Sequence, residues 1–164
     1  MKKLLLVVIP IVALSGCEKP AENGAEPQAA ADESAAGSAP VQLESGLQIE
    51  KIKNGYGRAV GAGDRVEVHY TGWLYDEGAA DNRGEKFDSS IDRGDMFPFQ
   101  IGVSRVIQGW HDGVEGMLIG EKRVLTIPPE LGYGANDYGP IPGGSTLIFE
   151  IELFSAEAAE APQD

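Results

Sequence analysis

The sequence predicts an α+β domain in which one short helix lies on a meandering antiparallel sheet, and three observations carry that prediction. Apolar residues alternate with period two in several separate runs, while a single stretch has the helical period. Glycine is abundant, 22 of 164 residues, about twice the ordinary share of ~7%. Short strands joined by many turns explain that excess, and one helix covering a face of a sheet is the layering such runs allow.

The elements follow in chain order. Gln48 to Lys53 is a weak strand candidate. Arg65-Val66-Glu67-Val68-His69-Tyr70-Thr71 is a strong one, because Val66, Val68 and Tyr70 share one face and Arg65, Glu67 and His69 the other. Phe97 to Ile101 is again weaker. Ile107, Trp110, Val114 and Met117 then recur at spacings of three, four and three, behind a Ser104 that can cap, which predicts the helix. Gly109, Gly113 and Gly116 lower its propensity by about 1 kcal/mol each, so packing against the sheet must hold it. Lys122 to Ile127 is a strand stopped by Pro128-Pro129, and Leu147 to Leu153 a strand with Phe149, Ile151 and Leu153 inward.

The flanks have a different composition. Met1-Lys2-Lys3 is a basic start, and Leu4 to Leu14 is an apolar run of eleven residues carrying Pro10. That run is short of the ~20 residues a bilayer span needs and fits a cleaved secretory signal over residues 1–16. Leu14-Ser15-Gly16-Cys17 resembles the bacterial lipobox, which implies acylation of Cys17 and a lipid anchor in the cell envelope. A free cysteine beside an ordinary cleavage site is the competing reading. Glu18 after the cysteine resembles an outer-membrane rather than an inner-membrane address. Residues 18–40 contain eight Ala, three Pro and five acidic residues with no side chain able to enter a core, so 17–40 is expected to be a lipidated, disordered tether. Ser155 to Asp164 is similar and is expected to fray as an acidic tail, leaving 41–154 as the folded domain.

Composition also excludes function classes. The chain has 26 acidic and 13 basic residues, a net charge of -13, which disfavours nucleic-acid binding because phosphate neutralisation supplies its affinity. A single cysteine excludes an internal disulfide framework, and two histidines, His69 and His111, leave little for a hydrolase triad or zinc. No P-loop, nucleophile elbow or paired histidines occur, and the acidic run Asp76 to Asp81 lacks the glycine at position six of a calcium loop; no metal or cofactor is expected. Arg93-Gly94-Asp95 spells an adhesion tripeptide and is expected to be a chance turn. Tyr70, Phe87, Phe97, Phe99, Trp110, Tyr133 and Phe149 fall on separate elements. Seven rings in so small a domain are either ordinary packing or the lining of an apolar pocket.

Five segments bear on that choice. Val68-His69-Tyr70-Thr71-Gly72, Lys86-Phe87-Asp88-Ser89-Ser90, Val106-Ile107-Gln108-Gly109-Trp110, Gly132-Tyr133-Gly134 and Thr146-Leu147-Ile148-Phe149 resemble, in order, the signature segments of the FKBP-type peptidyl-prolyl cis-trans isomerases. The resemblance covers about Gln48 to Leu153. It implies a half-barrel, a twisted antiparallel sheet wrapped around the short helix, and catalysis of X-Pro bond rotation. Trp110 would form the floor of a proline cleft, and Tyr70, Phe97, Val106, Ile107 and Phe149 its walls. Phe87, Asp88 and Tyr133 would surround the carbonyl before the proline, with the Ile107 N-H on a neighbouring carbonyl. Phe99 matches too, as core.

Asp88 keeps two readings, a cleft carboxylate or a cap on the Ser89 and Ser90 amides. Departures from the family lie at the rim. Trp73 to Lys86 is expected to form an added acidic loop. In the flap, Tyr138 stands where relatives often carry histidine, Pro140 replaces an aliphatic, and Ile141 matches; Tyr138 and Ile141 are expected to bind substrate. The implied partners are proline-containing polypeptides and macrolide inhibitors, and a monomer is expected. A tethered proline-binding module, or an envelope chaperone with incidental isomerase activity, is the alternative use.

Overall fold

The structure, a computed structural model, describes residues 39–159. The expected signal, Cys17 and nearly all of the tether lie outside these residues, as do 160–164. The strands are β1 (Val41–Gln42), β2 (Gln48–Lys53), β3 (Arg65–Tyr75), β4 (Arg83–Ser89), β5 (Phe97–Gln100), β6 (Lys122–Ile127) and β7 (Leu147–Glu157). Two helices join them, the single turn α1 (Ser90–Arg93) and the longer α2 (Gln108–Val114). All strand pairs are antiparallel, in the order β1-β2-β6-β7-β3-β4, with β5 also on β3.

Strand β3 organises the sheet. One edge pairs with β7 from Arg65 to Leu74, and the other is shared, β5 taking Arg65 to Val68 and β4 taking Thr71 to Tyr75. The period-two pattern decides the faces: Val66, Val68 and Tyr70 are buried, as are Phe149, Ile151 and Leu153 opposite them. Bulges between Glu67 and Val68 and after Gly72 curl the strand, which bends the sheet toward the helix.

Helix α2 approaches β6 closely because two of its residues have no side chain. A Cβ at Gly109 would lie 2.6 Å from Ile127 Cγ2, and one at Gly113 2.8 Å from Leu125 Cδ2. The glycines that weaken the helix locally are therefore its contact surface. A buried ion pair fastens the same junction. Arg123 donates from Nε to Glu121 Oε1 at 2.6 Å, and from Nη1 to the Gly113 and Glu115 carbonyls at 2.9 and 3.1 Å. Those carbonyls are end-of-helix acceptors without an intrahelical donor.

Several expectations are corrected. The helix begins at Gln108 with Ile107 as its uncapped first flank, and Ser104 Oγ instead accepts from Gln100 N at 2.9 Å within the preceding turn. It ends at Val114, because Gly116 turns the chain at φ +79°, yet Met117 beyond it remains fully buried. The presumed loop from Trp73 to Lys86 is mostly a hairpin, since β3 runs to Tyr75 and β4 starts at Arg83. The tail expectation fails for its first residues: β7 continues through Ser155, Ala156 and Glu157, paired with Glu67, Val66 and Arg65. Ala159 N then donates to Asp64 Oδ1 at 3.0 Å. Small side chains do not prevent pairing when a partner strand already offers the edge.

Candidate active site

The concave side of the sheet and α2 enclose a cleft of about 610 Å³. Trp110, on the helix, lies beneath it and is 4% exposed. Perpendicular rings surround the indole: Tyr70 at 4.8 Å, Phe149 at 5.3 Å and Phe97 at 5.6 Å between centroids. Phe87 meets Phe149 edge-on at 5.5 Å. Edge-to-face contacts of this kind fix ring orientations as well as adding stability. Gly72 in β3 makes room for the last pair, since a Cβ there would lie 2.7 Å from both Phe87 Cζ and Phe149 Cε1. Trp110 Nε1 is buried with no hydrogen-bond partner among the described residues.

One wall is polar. Tyr70 Oη donates to Asp88 Oδ2 at 2.5 Å and accepts from Arg93 Nη2 at 2.9 Å, while Arg93 Nη1 also pairs with Asp88 Oδ1. The guanidinium lies over the Tyr70 ring, 5.6 Å from its centroid. Burial, then the Asp88 bond, push the Tyr70 phenol above its ordinary range, with Arg93 opposing. Hydrogen bonds to Tyr70 and Asp88 raise Arg93 in turn. Across the cleft, Tyr133 stacks on Tyr138 at 4.4 Å and 11°. Its phenol is also raised, by burial and then by Tyr138 and Asp88, and its hydroxyl has no hydrogen-bond partner among the described residues. Tyr70 is thus an engaged hydroxyl and Tyr133 an available one.

The loop before the helix is pinned by His111. Gly102 N donates to its Nδ1 at 2.8 Å, which makes Nε2 the protonated nitrogen, 3.1 Å from the Ser104 carbonyl. This holds Val106 and Ile107 at the cleft. The Ile107 amide has no hydrogen-bond partner among the described residues.

Of the residues singled out from the sequence, Tyr70, Phe87, Asp88, Phe97 and Val106 converge on this cleft. Ile107, Trp110, Tyr133, Tyr138 and Phe149 complete the set. Ile141 does not reach it: the residue is 4% exposed in the core, and its backbone bridges Tyr138 through bonds of 2.9 and 3.0 Å. Its place is to hold Tyr138 up to the rim. Phe99 is core, as expected. Asp88 lies in the cleft and does not cap; Ser89 Oγ is the α1 cap, accepting from Asp92 N.

Sequence reasoning missed Arg93, Arg105, Gln108 and Gly132. Arg93 belongs to the Arg-Gly-Asp tripeptide, which by sequence is a chance turn and whose Gly94 in fact closes α1 at φ +77°. The available signal was its place five residues after Asp88, at the end of the single turn that follows β4. A second hollow of about 650 Å³, beside Arg65, Gln100 and Glu157, includes one ring, Phe99. It gathers no aromatic cluster. Among the described residues, no group of three or more His, Cys, Asp or Glu could hold a metal ion, and no helix is long and apolar enough to cross a membrane.

The class is defined by a curled antiparallel sheet that, with helix α2, encloses an aromatic cleft. The FKBP-type peptidyl-prolyl cis-trans isomerase family model matches residues 57–154, and the chain belongs to that family. FK506-binding protein 2B of Rhizopus delemar is 46% identical over 125 residues, covering 76% of this chain and 57% of that protein. FK506-binding protein 2 of Dictyostelium discoideum is 41% identical over 157 residues, covering 92% of each. The crystal structure of FkpA from Escherichia coli superposes with a TM-score of 0.64 at 36% identity, over 73% of this chain and 52% of that one. The chain thus spans little more than half the length of two of these three.

Proposed function

We propose that this protein accelerates cis-trans rotation of X-Pro bonds in polypeptides. The observation that carries the reading is the ring cage over Trp110, with the unengaged Tyr133 hydroxyl at its mouth. The barrier is the loss of amide resonance, about 18 to 20 kcal/mol. The planar amide separates charge and the twisted one does not, so an apolar cleft that excludes water favours the twisted state relatively. In this reading Trp110, Tyr70, Phe97, Val106, Ile107 and Phe149 hold the proline ring. Phe87, the Asp88 carboxylate and the Tyr133 hydroxyl face the carbonyl that turns, and the Ile107 amide holds a neighbouring carbonyl. No proton or electron pair is transferred. Against an uncatalysed time of order 100 s, a turnover of about 10 to 1,000 per second corresponds to a barrier lowered by roughly 4 to 7 kcal/mol.

A protease-coupled assay on X-Pro peptides tests the reading, with competition by a macrolide that fills the same cleft. Acceleration blocked by the macrolide is expected. Binding of proline peptides without acceleration would replace the reading by that of a proline-binding module.

The proposal extends to place and state. The lipobox at Leu14 to Cys17 supports lipidation of Cys17 in a bacterial envelope, with Glu18 favouring the outer membrane. Exported proteins are then the substrates and a tethered monomer the working form. Cys17→Ser followed by cell fractionation should release the protein from membranes, since an acidic domain has no attraction to anionic lipid. Unchanged membrane association would exclude a lipid anchor.

A further inference from the structure

The described residues contain ten lysines and arginines, in a chain with twice as many acidic as basic groups. Eight of the ten lie within ion-pair distance of a carboxylate: Lys51, Lys53, Arg58, Arg83, Lys86, Arg93, Lys122 and Arg123. With so large an acidic excess, nearly every cation finds a partner. Arg65 and Arg105 have none among the described residues. Arg65 nevertheless lies in a hollow lined by Glu67 and Glu157. Arg105 has no such company. It is exposed at the lip of the aromatic cleft, where the one carboxylate, Asp88, is already taken by Arg93 and Tyr70.

The cleft mouth therefore carries an uncompensated positive charge on an otherwise acidic protein. Its position is set by the pinned loop. His111 fixes the turn at Gly102 and Ser104, so Arg105 enters the cleft lining directly beside Val106 and Ile107. A peptide whose carbonyl rests on the Ile107 amide would bring its adjacent side chains past the guanidinium.

We propose that Arg105 is a specificity-determining residue that selects X-Pro segments carrying an aspartate or glutamate next to the proline, on the Ile107 side of the cleft. The inference rests on the isomerase reading for its site and adds the substrate class. A guanidinium and a carboxylate pair through parallel N-H···O bonds, a match a neutral or basic side chain cannot make. At an exposed lip the preference is about two- to fivefold, and it is screened by salt. The net charge of -13 sharpens the contrast, because it disfavours approach of acidic segments to the rest of the protein.

The test uses the full chain and three series of X-Pro peptides, with Glu, Gln or Lys one residue after the proline, two residues after it, or before the X residue. The readout is the ratio of kcat/KM for Glu to that for Lys within each series. The expected result is a ratio above one on the Ile107 side only, falling toward one at 1 M salt, abolished in Arg105→Gln and inverted in Arg105→Glu. A merely structural role would lower every peptide together and leave the ratios unmoved. A ratio of one in the unaltered protein, or a Glu preference that survives Arg105→Glu, overturns the proposal. Should no peptide be isomerised, the isomerase reading fails by itself. Dissociation constants for the same peptides then give the same ratios without catalysis and decide on Arg105.

Discussion

Gly113→Ala sets two effects of opposite sign against each other. Local propensity favours the alanine by about 1 kcal/mol, because a helix interior restrains glycine more. Packing opposes it. The new Cβ would stand 2.8 Å from Leu125 Cδ2, where carbon atoms prefer about 3.5 to 4.0 Å. Leu125 is fully buried in β6 and has no open side to swing into. Either Leu125 leaves its rotamer, at about 0.5 to 1.5 kcal/mol, or the helix lifts from the sheet, an overpacking cost of about 1 to 3 kcal/mol. Packing wins where the helix must lift, with a net loss of up to about 2 kcal/mol after the propensity gain and a fall in Tm of up to roughly 8 °C. Urea unfolding followed by tryptophan fluorescence measures it. Trp110 lies three residues earlier on the same helix, so kcat/KM should fall as well. Combining Gly113→Ala with Leu125→Ala, which alone costs about 2 to 5 kcal/mol, should be less than additive because the cavity accepts the methyl. A raised Tm in Gly113→Ala, or strict additivity in the pair, would refute the reasoning that the glycine face is the contact.

Three further outcomes follow from the site and its frame. Tyr133→Phe keeps the stacked ring and loses one hydroxyl, so the isomerase rate should drop several-fold, about 1 kcal/mol, whereas Phe87→Ala and Phe149→Ala open the cage and should cost more; equal effects in the coupled assay would contradict the division of roles. Because the Tyr70 and Tyr133 phenols are both pushed above their ordinary range, they stay protonated through neutral pH, and kcat/KM should be nearly flat from about pH 6 to 9; a bell-shaped profile would mean proton chemistry. Asp64 is held down to about 2 by its bond from Arg58 at 2.7 Å, then by the Gly61 and Ala159 amides. A depressed carboxylate stabilises the fold above its unfolded pKa of about 3.9 and loses that contribution as pH falls toward 2, so Asp64→Asn should cost about 1 kcal/mol at pH 7, after allowing for exposed Arg58, and flatten the urea midpoint between pH 5 and 2.

What the sequence determined by itself was local. Period-two alternation depends on which face of a strand meets the core, so 48–53, 65–71 and 122–127 were legible without knowledge of any partner, and of the residues assigned to the cleft from the sequence all but Ile141 line it. What only the tertiary structure decided depends on contacts distant in sequence. Arg83 to Ser89 is too polar to announce a strand, and becomes one because β3 presents an unpaired edge beyond Val68. Ser155 to Glu157 extends β7 for the same reason. Asp88 became a cleft group rather than a cap once Tyr70, 18 residues earlier, supplied its hydroxyl. Gly109 and Gly113, which count against a helix in isolation, let it lie on Ile127 and Leu125 and so set the height of Trp110 beneath the cleft. In each case the burial or hydrogen bond that decides the conformation belongs to the partner, and no local pattern records it.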